Sequence, residues 1–120
     1  MGGAFAGCTG LTSVIIPNSV ETIGDAAFNG CKDLTSVMIP NSVKYLSGFS
    51  GCTSLTNVII DSYVTEIGGW AFINCTALTN ITIPNNVTKI RDGAFDGCSN
   101  LKVVKIGNGI TEIGYDAFKG

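Results

Sequence analysis

Leu78-Thr79-Asn80-Ile81-Thr82-Ile83-Pro84-Asn85-Asn86-Val87-Thr88-Lys89-Ile90, followed closely by Ala94-Phe95-Asp96-Gly97-Cys98, is the stretch on which the reading of this chain turns. Ile81 and Ile83 alternate with polar neighbours, which is the period of an extended strand. β-branched side chains favour that state because they pack well on a pleated surface. Pro84 has no N–H to offer a ladder and should end the strand, and Asn85-Asn86 supply turn chemistry. Val87 to Ile90 then reads as a second short extended stretch. The same succession recurs along the chain. Leu11, Leu34, Leu55, Leu78 and Leu101 each open a copy, at spacings of 23, 21, 23 and 23 residues. A period in this range predicts a solenoid, in which each copy is one coil that buries its apolar side chains only by stacking on its neighbours.

Aligning the copies turns the sequence into columns. The expected core columns are Leu11/34/55/78/101, Val14/37/58 with Ile81 and Val104, Ile16/39/60/83/106, Val20/43/64/87 with Ile110, and Ile23, Leu46, Ile67, Ile90 and Ile113. All six phenylalanines fall in one further column: Phe5, Phe28, Phe49, Phe72, Phe95 and Phe118. Such a column predicts an aromatic spine. Gly24, Gly68 and Gly114 share a register that suggests positive φ or a tight bend. The second full copy is two residues short, with Ser47-Gly48 where the first has Gly24-Asp25-Ala26-Ala27, and reads as a trimmed loop on the back of the solenoid. The copies divide the chain into one solenoid with segments 1–10 (partial), 11–33, 34–54, 55–77, 78–100 and 101–120. Both ends fall inside a copy without a polar cap, as expected of a fragment of a longer array. Open ends of that kind also allow homo-association by end-to-end pairing.

Composition narrows the function. Of the 120 residues 45% are hydrophobic and only 13% charged, with a net charge of −2, against a usual charged share of about a quarter. Seven scattered lysines and arginines make no basic footprint, so nucleic acid is not an expected partner. No apolar run approaches the roughly 18 residues of a membrane span, so membrane insertion is not expected. Met1-Gly2-Gly3-Ala4 lacks the charged and apolar parts of a signal peptide.

The repeat unit resembles the BspA-like leucine-rich repeat, whose consensus Leu78 to Ile90 and Ala94 to Cys98 follow closely. The likeness extends over essentially the whole chain. It departs at Asp61 and Gly107, which stand for proline, and at Ser47 and Arg91, which stand for glycine. The resemblance implies a right-handed leucine-rich-repeat solenoid with a parallel β-sheet on its concave face and short turns or 3₁₀ segments opposite. It further implies a cell-surface or secreted protein, often an adhesin. The family has no common catalytic residues to carry over.

Cys8, Cys31, Cys52, Cys75 and Cys98 occupy one column, an odd number without metal-ligand spacing. They are expected to be a ladder of buried thiols acting as small hydrophobes; the alternative is a disulfide between adjacent rungs, whose spacing allows it but whose parallel Cβ vectors fit bridge geometry poorly. The chain has no histidine, which removes the commonest general base and metal ligand and leaves no base for a nucleophilic cysteine. Asp25, Asp92 and Asp116 read as turn residues rather than a paired acid and base. Neither an enzyme nor a cofactor or metal site is indicated.

A binding role is left, and strand alternation says where it would lie. The third and fifth positions of each copy point outward. The fifth reads Ile15, Met38, Ile59, Thr82, Lys105, and the third reads Ser13, Ser36, Asn57, Asn80, Val103. An apolar stripe at one end thus grades into a polar, cationic one. A stripe with a polar rim is a candidate interaction surface, and a host or cell-surface protein is the expected ligand. The alternative is a structural spacer or self-assembling segment with no specific ligand. On the second strand, Glu66, Lys89 and Glu112 form an alternating charge ladder, and Trp70 should protrude from the back.

Overall fold

The computed structural model describes residues 5–61 and 63–120. Met1 to Ala4, which open the expected partial copy, lie outside the described residues, as does Ser62. Ten short strands follow in order: β1 (Ser13–Ile15), β2 (Thr22–Ile23), β3 (Ser36–Ile39), β4 (Tyr45–Leu46), β5 (Asn57–Ile60), β6 (Glu66–Ile67), β7 (Asn80–Ile83), β8 (Lys89–Ile90), β9 (Val103–Ile106) and β10 (Glu112–Ile113). Every pairing is parallel and joins one coil to the next in the repeat register, as in Val14↔Val37↔Val58 and Ile23↔Leu46↔Ile67. The molecule is a β-solenoid, and no described residue is helical.

Each coil has three walls. The first is built in two pieces, β1-β3-β5 and β7-β9, and the second is a continuous five-stranded sheet, β10-β8-β6-β4-β2. The third wall consists of turns rather than 3₁₀ helix. Its backbone is nonetheless bonded from coil to coil: the N–H groups of Phe28, Phe49, Phe72 and Phe95 donate to the carbonyls of Gly48, Ala71, Ala94 and Ala117 at 2.7, 2.8, 2.7 and 2.7 Å. Peptide groups at the centre of the stack therefore find partners on all three sides, as buried backbone must. The second-wall strands are shorter than the sequence pattern suggests. Val20, Val43 and Val87 belong to turns, because their N–H groups donate to the carbonyls of Pro17, Pro40 and Pro84 three residues back, at 3.1, 3.1 and 3.2 Å.

The interior matches the expected columns through the middle of the stack. Leu34, Leu55, Leu78, Val43, Val64, Val87, Leu46 and Ile67 are fully buried. In the last coil Ile106 and Ile113 depart from expectation, at 45% and 49% exposed, because that coil has a neighbour on one side only. The phenylalanines form the spine. Successive ring centroids lie 5.3, 5.0, 5.4, 5.3 and 5.2 Å apart, and no pair is tilted by more than 11°. The rings repeat at nearly the strand spacing of about 4.8 Å, so the coil geometry itself sets the stack.

Two details of the backbone differ from the sequence reading. Gly24, Gly68 and Gly114 are not at positive φ. Gly68 and Gly114 serve close approach instead: a Cβ on Gly68 would run into the Tyr45 hydroxyl, and one on Gly114 into the backbone nitrogen and Oδ1 of Asp92. A recurrent left-handed position is instead the residue before each cysteine. There Gly30, Gly51 and Gly97 have φ of 74, 71 and 75°, and Asn74 takes 62°. Asparagine is among the few residues that enter this region readily.

Candidate functional site

The outward face of the first wall brings together the side chains singled out by alternation. Ile15, Met38 and Ile59 are paired directly across β1, β3 and β5. They are 93%, 63% and 48% exposed, while Val37, Ile39 and Val58 between them face the core. Ser13, Ser36 and Asn57 form the parallel row two residues earlier. Thr82↔Lys105 and Asn80↔Val103 continue the two rows on β7 and β9. All of these except the half-buried Ser36 are exposed. The change from apolar to polar coincides with the division of this wall into its two pieces. The structure therefore gathers the nine predicted residues on one face but splits them between two sheets.

Recesses flank this face. One of about 400 Å³ lies beside the apolar row and is lined by Ile15, Pro17, Met38 and Pro40 among others. Another, of about 560 Å³, opens at the polar end between Thr82, Pro84, Asn85, Lys105 and Gly107. It opens where Gly107 stands in the proline column.

The whole of this geometry is that of a repeat family whose model, the BspA type leucine-rich repeat region, matches residues 2–120 in six copies. The chain belongs to the BspA-type leucine-rich repeat family. Solved bacterial leucine-rich-repeat proteins share the fold. The leucine-rich repeat protein of T. pallidum superposes with a TM-score of 0.76 at 27% identity over 94% of this chain and 64% of its own. One from Bacteroides ovatus gives 0.72 at 31% identity, over 99% and 37%. A leucine-rich cell surface protein from Faecalibacterium prausnitzii gives 0.63 at 29% identity, over 79% and 32%. The chain thus spans between about a third and two thirds of the length of these proteins. No curated protein matches it.

Membership of this family suggests a protein-interaction repeat module. Among the described residues no cluster of three His, Cys, Asp or Glu side chains is placed to hold a metal. All three aspartates lie in turns, and two of them bond to the next coil: Asp25 accepts from the Tyr45 hydroxyl at 3.3 Å and Asp92 from the Tyr115 N–H at 2.8 Å. The charge ladder of the second wall is rearranged. Glu66 lies beside Lys89 in register, but its ion pair is with Arg91, 2.7 Å away. Arg91 replaces a glycine at the corner of the coil, and its longer reach captures the carboxylate. The pair raises the Arg91 guanidinium's affinity for its proton, but Arg91 is open to solvent, which screens the pair and leaves it little weight in stability.

In this BspA-type chain the cysteine column does structural work. All five thiols are free, four of them buried and Cys8 partly so. Cys31, Cys52, Cys75 and Cys98 donate to the carbonyls of Phe5, Phe28, Phe49 and Phe72, each in the coil before, at 3.0, 3.3, 3.1 and 3.1 Å. Burial, aided by the charge of Cys31, pushes the Cys52 thiol up to about 12. Cys75 is raised by the neighbouring Cys98 side chain and by burial. Since the unfolded chain releases these protons first, the folded state holds more protons above pH 9. Stability from Cys52 is complete below that pH and is lost between 9 and about 12. The melting temperature of the wild type should accordingly fall more steeply from pH 9 to 11 than that of Cys52→Ala. Equal slopes would show that the thiol is not shielded.

Two functional features escaped the sequence reading. The Arg91–Glu66 pair crosses from a corner to a strand, outside the strand register. The pose of Trp70 had a signal that could have been read: a bulky residue one repeat before a glycine, at Gly93, has room to lie over it.

Proposed function

We propose that the chain is the ligand-binding repeat segment of a cell-surface or secreted, adhesin-type protein, and that a partner protein meets the outward face of the first wall. The observation that carries this reading is the row Ile15–Met38–Ile59, in register on three adjacent strands and substantially open to solvent. Adjacent rungs lie about 4.8 Å apart, so the three side chains make one contiguous apolar strip, edged by Ser13, Ser36 and Asn57. Exposed strips with a polar border mark interaction surfaces. Met38 adds a flexible, polarizable side chain that adapts to an apposed surface. Thr82 and Lys105 extend the face with groups suited to orient a partner rather than to anchor it. The cell-surface description of the Faecalibacterium prausnitzii protein supports the location.

Ile59→Asp places a charge in the strip without touching the core. Its far-UV spectrum and melting temperature should match the wild type, while capture by an array of extracellular proteins should weaken by at least about tenfold, the cost of desolvating an unpaired carboxylate. Unchanged capture would refute the proposed face. Sedimentation over a concentration series supplies the second arm. A monomer supports a foreign partner, and self-association abolished by Ile59→Asp would assign the strip to a second copy of the chain.

A further inference from the structure

The turn segment that follows β6 carries a second exposed feature, away from the first wall. Trp70, the only tryptophan of the chain, is 56% exposed and stands at φ 54°. A bulky residue in the left-handed region costs on the order of 1–3 kcal/mol and persists only where its surroundings hold it. The same place in the following coils is taken by Gly93 at φ 64° and Asp116 at 56°, residue types that accept this backbone. Tryptophan thus occupies a site whose backbone favours glycine. Its ring extends along the stack: a Cβ on Gly93 would lie 2.5 Å from the indole Nε1 and 2.6 Å from Cδ1, and Gly93 is buried beneath it. The pyrrole side of the indole is seated against backbone, and more than half of the residue is left to solvent.

Carboxylates and cations both lie around this platform, and the cations are largely answered by other acids. The Trp70 backbone N–H donates to the Asp92 carbonyl at 3.0 Å and the Gly93 N–H to that of Tyr115 at 2.9 Å, which brings the backbone of Asp92 and of the Tyr115–Asp116 turn beside the glycine that the ring covers. Both aspartates are exposed, as is Glu112 nearby. Of the neighbouring cations, Arg91 is engaged by Glu66, Lys89 lies in register between Glu66 and Glu112 on the second wall, and Lys119 follows the Asp116 turn.

We propose that Trp70, with Asp92 and Asp116, is a docking point for an arginine side chain of a partner protein. The guanidinium plane would stack on the open indole while its N–H groups reach a carboxylate. Arginine fits better than lysine because it is planar, weakly hydrated and forked, and cations over a tryptophan face gain most among the aromatics. An uncharged sugar could stack on the same ring but would draw nothing from the charge of the two carboxylates.

Because Trp70 is the only tryptophan, its emission reports the site directly. The intact chain is titrated at low salt with a capped tetra-arginine peptide, with its neutral tetra-citrulline counterpart and with maltotetraose. A saturable change in emission is expected with the arginine peptide, at concentrations at least about tenfold below those needed for citrulline. The double variant Asp92→Asn/Asp116→Asn keeps an amide oxygen for the Tyr115 N–H and a residue type that tolerates the left-handed backbone. It should fold as the wild type does and bind the peptide at least about fivefold more weakly. Equal saturation by citrulline or by the sugar, or an undiminished affinity of the double variant, would overturn the proposal. The first-wall reading stands apart from this test, since Ile59→Asp should leave the emission titration unchanged.

Discussion

Replacing Phe72 by alanine should lower the free energy of unfolding by about 3–5 kcal/mol, the range for truncating a buried aromatic side chain. The expectation rests on position as well as on residue type. Phe72 is fully buried and stacks on Phe49 at 5.4 Å and on Phe95 at 5.3 Å, so alanine removes two ring contacts and opens a cavity in the middle of the spine. The hydrogen-bonded walls on either side resist collapse into it. In a linear stack stabilised by nearest neighbours, such a break also weakens the coupling between the two halves. The denaturation profile of Phe72→Ala is therefore expected to broaden as well as shift. Phe118→Ala, in a half-buried ring stacked on one side only, should cost distinctly less. Equal costs for the two substitutions would show that the spine does not act as a continuous column.

Gly48→Ala should be nearly as damaging although it adds a single methyl group. The second full copy reaches its phenylalanine two residues early, and the backbone closes that gap at Gly48 with φ of 90°. Phe49 thereby keeps its place, 5.0 Å from Phe28 and tilted by 11°. A side chain at this φ costs roughly 1–2 kcal/mol. A Cβ here would in addition collide with the Gly24 carbonyl and come within 3.0 Å of the Ala27 nitrogen, both backbone atoms that cannot swing aside. Overpacking of this kind adds about 1–3 kcal/mol. The combined loss of about 2–5 kcal/mol is readable from chemical denaturation. An alanine variant as stable as the wild type would mean that the shortened copy can rearrange freely.

Much of this architecture was legible because the repeat presents the same physical problem five times. The alternation at Val37/Ile39 and Ile81/Ile83 has one solution once a core lies on one side, and the side chains between them, Met38 and Thr82, had to face outward. The phenylalanine and cysteine columns were equally plain. What the pattern could not convey was how neighbouring coils lean on one another. The second strands shrink to two residues because a turn hydrogen bond claims the N–H of Val20 and its counterparts. Gly68 is needed for the Tyr45 side chain of the coil before, not for its own φ. Arg91 bypasses the strand register to reach Glu66. In each case a side chain or peptide group of one segment answers to an atom about twenty residues away or to a turn, and no period in a single column records that. For the candidate binding face the residues were legible and the division between β5 and β7 was not.

The thiol ladder has a consequence for where such a molecule can exist. Small extracellular domains commonly depend on disulfide cross-links that form only in oxidising surroundings. Here four of the sulfur atoms act instead as shielded donors to phenylalanine carbonyls, so the cohesion of the stack draws on packing and hydrogen bonds rather than on cross-links, and is expected not to depend on the redox potential around it.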